Sequence, residues 1–451
     1  MKKLIYTVLT VACFAGTTQT FAQESGKDFK YRRSSLSMIL IESDKFPNKD
    51  AVMSSWNNFP FPDKYNKHNI DLKSVNINNI KLSDKDLIDA GFLKDTLKTV
   101  MQFAKATSSL KPVKYLNAEQ TIAVVMPTEK QEYQLKIDKV IRESKLANQL
   151  VASWFNRSKE GKFNMSMIQE RGFYNASELE ASVAQGQTKG LASLGDAGEE
   201  LIRNTFITFT KLEFIENEPA AALIRDAAKT KISAEMAGKP QILIDKALQA
   251  ADYTYEKTKE GYSLWSKTWL YRLNWNDSIS AVFYNDLWSN PSAFDKSDLF
   301  SLEFVGVQYN QSLVTFKIGE KRTQEQLIDL ALVRNIDNAF AELQKDNDVF
   351  KPKTPVLTTN PITAQIGKKE GLKGGEKFDV LEMTLNPKTG LTEYKKVGSV
   401  TADKKVIWDN RYNAGDKSET EQLNKEGNPI TATPFKGSKK IQPGMLLIQV
   451  K

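Results

Sequence analysis

Cysteine and histidine are almost absent from this chain of 451 residues, which has one of each, Cys13 and His68. A zinc site draws three or four ligands from Cys, His and carboxylates, so we expect no metal. The sequence has no HExxH, no Gly-x-Ser-x-Gly, no P-loop and no dinucleotide-binding fingerprint. These absences exclude the common metal, nucleotide and nucleophile sites, and we expect no cofactor.

Long apolar runs and blocks of a single charge are also missing. Lysine and arginine total 63 against 55 acids, which gives a net charge of +8 spread along the chain. Nucleic acid is not an expected partner, because its binding surfaces concentrate basic residues. No later segment has the about 20 apolar residues that span a bilayer, so we expect no transmembrane segment in the mature chain.

The first residues have the pattern of a secretory signal peptide. Two lysines precede a short apolar run over residues 4–15, and Thr20-Phe21-Ala22 offers a small-x-small cleavage site. We predict a signal peptide over residues 1–22 and export to the periplasm, the outer membrane or the cell exterior. Lipidation of Cys13 is the alternative. Cleavage removes this cysteine, so packed cores rather than disulfides must hold the mature chain together.

Apolar periodicity predicts an α+β chain of several domains. In residues 23–127, an N-terminal α/β region, "YRRSSLSMILIES" indicates a strand buried on both faces, a helix follows from Ser83, and "QTIAVVMP" indicates another strand. Residues 128–349 are predicted to form a central α+β domain. It has a helix over 133–155, a strand at "FNMSMIQERGFY", a helix-to-strand transition in "ELIRNTFITFTKLEF" and helix over 220–251, broken at Gly238-Lys239-Pro240.

The clearest strand signals follow in the same domain. "YSLWSKTWLYRLNW" and "SISAVFYNDLW" flank Asn276-Asp277, and "FSLEFVGVQY" and "SLVTFKI" flank Asn310-Gln311, which predicts an antiparallel meander of about four strands. Thr323 to Gln326 has a capping-box pattern that opens a helix. Residues 350–361 contain three prolines without periodicity and are predicted to be a linker. Residues 362–451 alternate short strands and turns, which predicts a small β domain.

His68 lies with Tyr65 in the aromatic loop "SSWNNFPFPDKYNKHNI". As the only histidine, it would have to be the base of any Ser-His-acid site. Packing or hydrogen bonding within the loop is the other interpretation. Since no second catalytic partner is identifiable, we assign no catalytic residue and treat Tyr65 and His68 as candidate ligand-binding residues.

A tryptophan cluster supplies further candidate ligand-binding residues. At a period of two, Trp265, Trp269, Tyr271 and Trp275 share one face of a strand. That face either stacks on sugar rings or forms the core side of the sheet, since aromatic residues favour strands in any case.

Carboxylate-pair chemistry, as in glycosidases, needs only two acids. Asp196, Glu199 and Glu200 in "LGDAGEELI" are spaced to share one face of a helix. Acids near the start of a helix are also favoured electrostatically, so a solvated helix start without catalytic role is the alternative.

Six blocks of the sequence resemble a family of uncharacterised exported proteins of Bacteroidota. They are "YRRSSLSMILIE", "FPFPDKYNKHNI", "LVASWFNR", "IQERGFYNAS", "LGDAGEELIRNTFITF" and "WLYRLNWNDSISAVFYNDLW", and they cover residues 31–288. The resemblance implies export and no particular activity, substrate or catalytic residue. It also implies O-glycosylation at Asp-Ser/Thr-apolar sequences, which here are centred on Ser278 and Thr96.

The C-terminal part is similar to the SH3-like domain at the end of flagellar assembly protein T. The similarity lies in "ITAQIGKKEGLKGGEKFDVLE" followed by "NPKTG", a strand, a glycine-rich turn, a second strand and another turn. It implies a small β-barrel used for contacts in envelope assemblies.

These observations predict an exported, non-enzymatic cell-envelope protein that acts by binding or assembly, with an envelope protein or a glycan as partner. A carboxylate-dependent glycan hydrolase and a sugar-binding surface adhesin are the alternatives. The hydrolase requires two facing acids in a cleft, and the adhesin requires exposed tryptophans.

Overall fold

A computed structural model describes residues 31–90, 128–174, 198–314, 323–386, 392–412, 422–423, 427–437 and 440–450. From Tyr31 to Lys451 the chain forms one compact unit. The predicted signal peptide, the predicted strand "QTIAVVMP", Thr96 and Asp196 lie outside the described residues.

The strands are numbered along the chain. They are β1 Ser35–Ile41, β2 Asn66–Lys67, β3 Ser74–Val75, β4 Thr205–Glu216, β5 Tyr262–Leu273, β6 Leu302–Val314, β7 Thr354–Thr359, β8 Ile362–Ala364, β9 Lys377–Leu385, β10 Thr392–Ala402, β11 Thr433–Gly437 and β12 Leu446–Gln449.

The helices are numbered in the same way. They are α1 Lys49–Asn58, α2 Asp84–Asp89, α3 Glu129–Glu143, α4 Leu146–Trp154, α5 Ser166–Tyr174, α6 (residues 198–203), α7 Asn217–Glu235, α8 Gln241–Thr258, α9 Asp277–Val282, α10 Pro291–Lys296 and α11 Gln324–Asp346. A π-helical segment, Phe283–Leu287, continues α9.

One part of the fold is a mixed sheet in the order β2-β1-β4-β5-β6, and β3 also pairs with β1. Strands β1 and β4 run parallel, from Ser35 opposite Thr205 to Ile41 opposite Lys211. Strands β4, β5 and β6 are antiparallel. The sheet therefore contains strands from both predicted regions, 23–127 and 128–349. The predicted domain boundary between them is wrong, because β1 of the first region pairs with β4 of the second.

Both faces of β1 are buried, as its sequence predicts. Leu36 and Leu40 pack with helices α1 and α11, while Ile39 and Ile41 pack on the opposite face with α3 and α4. Helix α11 begins at the predicted capping box, in which Thr323 and Gln326 bond each other's backbone amides. Residues on all sides of α11 are buried, as expected for a helix enclosed between other elements.

A second apolar cluster lies beside the sheet and is rich in aromatic rings. Phe155 stands at its centre, with the rings of Phe283 at 4.7 Å and Trp288 at 5.4 Å. Offset and edge-on ring pairs of this kind add about 0.5–1.5 kcal/mol each beyond the burial of area.

Strands β7 to β12 close a barrel in the order β10-β11-β8-β7-β12-β9. Its core is apolar and contains Val356, Phe378, Val400, Phe435 and Leu447. The predicted α+β fold class is confirmed, and the barrel fits a small SH3-like domain. The predicted linker over 350–361 is wrong, because β7 lies within it and fills the barrel wall between β8 and β12.

The predicted meander is also wrong in part. "SISAVFYNDLW" is helical, since Asn276 caps α9 by accepting from the amides of Ser278 and Ile279. Ile279, Phe283 and Leu287 are buried at intervals of four residues, a helical spacing that the strand interpretation overlooked. Asn310-Gln311 lies inside β6 rather than in a turn. "FNMSMIQERGFY" contains helix α5 instead of a strand.

Other helical predictions are confirmed with adjusted bounds. The predicted helix over 133–155 divides into α3 and α4 at Lys145, whose φ of 50° is left-handed. The predicted break at Gly238-Lys239-Pro240 separates α7 from α8. Among the described residues, the structure contains no helix with the length and apolar character needed to cross a membrane.

Candidate functional site

His68 is buried against the tryptophan of helix α4. Its imidazole stacks on Trp154 with ring centroids 4.8 Å apart. The ring Nε2 donates to the Leu150 carbonyl at 2.9 Å, and Nδ1 accepts from Arg171 Nη1 at 3.1 Å. Burial, and then the positive charge of Arg171, lower the pKa of His68 to about 3. The neutral imidazole is thus a structural bridge between α4, α5 and β2.

The hydroxyl and the ring of Tyr65 are also engaged by other residues of the protein. Its hydroxyl donates to the Phe350 carbonyl at 2.8 Å and accepts from Gln344 Nε2 at 3.0 Å. Its ring stacks on Phe350 at 4.8 Å. The interpretation of Tyr65 and His68 as ligand-binding residues is therefore wrong, because their polar atoms are engaged by the protein itself.

The two described candidate carboxylates lie on α6 and serve different contacts. Glu199 accepts from Trp275 Nε1 at 2.5 Å and from Ser280 Oγ at 3.3 Å. Glu200 accepts from the Tyr394 hydroxyl at 3.0 Å, and Lys353 Nζ lies 3.6 Å from it. They form neither a facing acid pair in a cleft nor a solvated helix start. Among the described residues, no group of three or more Cys, His, Asp or Glu could hold a metal ion.

Most of the tryptophan cluster belongs to the core. Trp269 stacks on Tyr133 of α3 with ring centroids 6.2 Å apart, and Tyr271 donates to Asp138 Oδ1 at 2.6 Å. Trp275 donates to Glu199. The ligand-binding interpretation is wrong for Trp269, Tyr271 and Trp275, which are all buried. Trp265 differs, because 47% of it is exposed.

Trp265 lies at the centre of a surface that we call the open sheet face. The face comprises Lys211 and Glu213 of β4, Trp265 and Lys267 of β5, and Tyr309 and Gln311 of β6. The strand register sets Glu213 and Gln311 directly opposite Trp265, and Lys211 and Tyr309 directly opposite Lys267. Alternate residues of a strand share a face, so these side chains continue the row formed by the buried Phe209 and Trp269 and the partly buried Val307, beyond the cover of α3.

Aromatic rings hold the two lysines of the open sheet face. Lys267 Nζ lies 4.3 Å from the Trp269 ring centroid and 5.1 Å from that of Tyr309. Lys211 Nζ lies 4.5 Å from the centroid of Tyr133. A cation over a ring face is worth about 0.5–1 kcal/mol at exposed sites. The face therefore presents one accessible indole beside two cations in defined positions.

Sequence reasoning selected Trp265 and missed the lysines and Tyr309. Tyr309 adjoins Asn310-Gln311, where the sequence predicts a break between two strands, and this prediction conceals that Tyr309 lies inside β6. The sequence "LEFVGVQYNQSLV" has no glycine or proline next to Asn310-Gln311, and this continuity indicates a single strand.

A second prominent surface is the helical arm, formed by α7 and α8. It is inserted between the adjacent strands β4 and β5, and its helices pack mainly on each other. Within the arm only Asn217, Ala221 and Ala251 are buried. Large apolar side chains remain in solvent, with 73% of Leu223 and 65% each of Ile224 and Ile242 exposed.

Ser278 lies at the rim of an open cavity. The cavity measures about 530 Å³ and is lined by Arg203, Trp275, Asn276, Asp277, Ser278 and Ile279. The side chain of Ser278 is exposed in the first turn of α9. The predicted turn between two strands at Asn276-Asp277 is wrong, because Asn276 caps α9 and Asp277 begins it.

No protein-family model matches the chain, and no curated protein is similar to it in sequence.

Proposed function

We propose that this protein is an exported cell-envelope protein that acts by binding and assembly rather than by catalysis. The helical arm is the observation that carries the proposal. A helix with apolar residues on more than one side normally buries them all, yet Leu223 and Ile224 face solvent on α7 while Ala221 is buried. Full burial of one such side chain contributes about 1.5–3 kcal/mol, so a partner that covers the arm gains substantially.

The residues considered for catalysis support the same conclusion. His68 has both ring nitrogens engaged, and Glu199 and Glu200 accept hydrogen bonds from separate parts of the fold. Of the three candidate carboxylates of the glycan hydrolase alternative, Glu199 and Glu200, the two that the structure describes, are thus engaged in contacts within the fold.

Export is supported by the sequence of residues 1–22. The test is the mass of the N-terminal peptide of the mature protein after fractionation of the cells. A peptide that begins at Gln23 supports the proposal, whereas a lipidated peptide that begins at Cys13 would replace it with a membrane-anchored form.

Assembly through the helical arm can be tested in the native cell envelope. The wild-type protein and the double variant Leu223→Glu/Ile224→Glu would be compared by size-exclusion chromatography of gently extracted envelopes. We expect the wild type to elute well above the mass of its mature monomer, which is smaller than the 50.8 kDa of the full 451-residue chain, and the double variant to elute as a monomer.

Lys246→Glu is the matched control, because it changes the net charge by the same amount at an exposed position of α8. It should elute with the wild type. Elution of the wild type as a monomer, or of the double variant in the large complex, would contradict assembly through the arm.

Sugar binding is a second candidate function, and the exposure of Trp265 favours it. An indole in solvent between polar strand neighbours meets the requirement that the adhesin alternative makes.

A further inference from the structure

The open sheet face is a rigid surface, because regular secondary structure supports it from behind. Its three strands are hydrogen bonded along their length, and helix α11 packs against the opposite side of β5 and β6. Its lysines are held over aromatic rings. A ligand that binds here need not order the surface first, and this lowers the entropic cost of association.

The face combines stacking with a local excess of positive charge. Trp265 and Tyr309 are 47% and 51% exposed, so a flat molecule can reach both rings. Lys211 and Lys267 outnumber the single acid Glu213. Residues two apart on a strand are about 6.6 Å apart, so Trp265 and Lys267 lie within reach of neighbouring units of a chain of sugars.

We propose that the open sheet face binds an acidic polysaccharide, a chain of sugars that carry carboxylates. A sugar ring stacks on Trp265, where its polarised C–H bonds meet the negative face of the indole. Carboxylates of the chain pair with Lys211 and Lys267, and Gln311 and Glu213 offer hydrogen bonds to hydroxyl groups. This extends the proposed binding role to a surface distinct from the helical arm.

Single-stranded nucleic acid also stacks on aromatic rings, but it suits this face less well. Proteins that bind it present a continuous positive groove along the phosphate backbone. Here Glu213 lies directly beside Trp265 in the register, where it would repel a phosphate. The acidic polysaccharide is favoured because it carries hydroxyl groups along its length that can donate hydrogen bonds to Glu213.

Affinity electrophoresis of the full mature protein tests the proposal, with polygalacturonate as the acidic probe, dextran as the neutral probe and an oligothymidylate as the nucleic-acid probe. We expect polygalacturonate to retard the wild type, with weaker retardation at high salt because charge pairs at a surface are screened. Trp265→Ala should weaken binding about three- to tenfold, in line with the worth of one stacking contact. Lys267→Gln should also weaken it.

Tyr253→Ala is the control, since it removes an exposed aromatic side chain from the helical arm. It should bind polygalacturonate like the wild type. The proposal is overturned if polygalacturonate does not retard the wild type, if dextran or the oligonucleotide binds as tightly, or if Trp265→Ala is unaffected. Leu223→Glu/Ile224→Glu leaves the open sheet face intact, so failure of assembly and failure of glycan binding are separately visible.

Discussion

The Tyr394 hydroxyl donates to both carboxylate oxygens of Glu200 at 3.0 Å, which joins strand β10 of the barrel to helix α6 beside the sheet. Tyr31 meets the same hydroxyl at 2.9 Å, and Lys353 Nζ lies 4.1 Å from the Tyr394 ring centroid. Burial raises the pKa of Tyr31 to about 12 and lowers the pKa of Lys353. A partly buried polar network thus connects the barrel to the rest of the unit.

Tyr394→Phe should destabilise the protein. Removal of the hydroxyl leaves Glu200 and Tyr31 without a shared partner in a partly buried setting, which costs about 1–2 kcal/mol. Urea unfolding measures the change. Tyr253→Phe removes an exposed hydroxyl and should stay within about 0.5 kcal/mol of the wild type. Equal stability of both variants would show that the network contributes nothing.

The barrel should fold alone only when β7 is present. A fragment of residues 352–451 contains every strand of the closed barrel, whereas a fragment of residues 362–451 lacks β7 and leaves β8 and β12 unpaired on one side. We expect dispersed amide signals by NMR and cooperative unfolding for the longer fragment only. A folded shorter fragment would restore the linker interpretation of residues 350–361.

His68→Gln should reduce the stability of the protein at neutral pH and flatten its dependence on pH. Glutamine keeps a donor at the place of Nε2 but cannot be protonated. The folded-state pKa of His68, about 3, lies below its ordinary value, so the stability it contributes is present above about pH 6.5 and is lost as the pH falls towards 3.

The measurement is urea unfolding of both proteins across that pH range. The wild type should exceed the variant by about 1–3 kcal/mol at neutral pH, the usual range for point changes, and the difference should shrink in acid. A difference that is constant with pH would exclude a buried neutral imidazole.

Asp337→Asn should have the opposite pH signature. Asp337 is buried on α11 facing the barrel, with Lys369 Nζ at 3.7 Å from Oδ1, and burial raises its pKa to about 7. Protonated Asp337 suits this site, so its contribution is full below about pH 3.8 and is lost as the pH rises through 7.

Asparagine resembles the protonated acid, and the variant should therefore be more stable than the wild type above neutral pH by about 1–3 kcal/mol. In acid the two should converge. Asp44→Asn, at an exposed position, is the control and should stay within about 0.5 kcal/mol of the wild type. A variant less stable than the wild type above neutral pH would show that the pair with Lys369 outweighs burial.

Ser278 is the better of the two predicted O-glycosylation positions, because its side chain is exposed and a bulky hydrophilic glycan must point to solvent. The intact mass of native protein should fall by the mass of a glycan in Ser278→Ala. Thr96→Ala tests the other position in the same way. If the masses change only by the substituted atoms, neither position is glycosylated. That result would also weaken the resemblance to exported Bacteroidota proteins, which implies the modification.

Several elements were readable from local sequence because short-range rules decide them. The apolar run of β1 predicts burial on both faces, and the capping box at Thr323 predicts the start of α11, since each depends on residues a few positions apart. Helix α9 and the π-helical segment that continues it were missed because their buried Ile279 and Phe283 are β-branched or aromatic and also suit strands. The role of β7 was missed because its partners β8 and β12 are set by barrel closure.

Trp265 and Trp269 show that the sequence determines which face of a strand a side chain occupies, but not whether that side chain is buried. Their spacing determined that they share one face of β5, because alternate residues of a strand point the same way. Only the tertiary structure decided that Trp269 is core and Trp265 is surface, since Tyr133 of α3 stacks over the former and the latter stays half exposed. In the same way, the sequence determined that α7 and α8 are helices. Their insertion between β4 and β5, which leaves Leu223 in solvent, depends on contacts between distant parts of the chain.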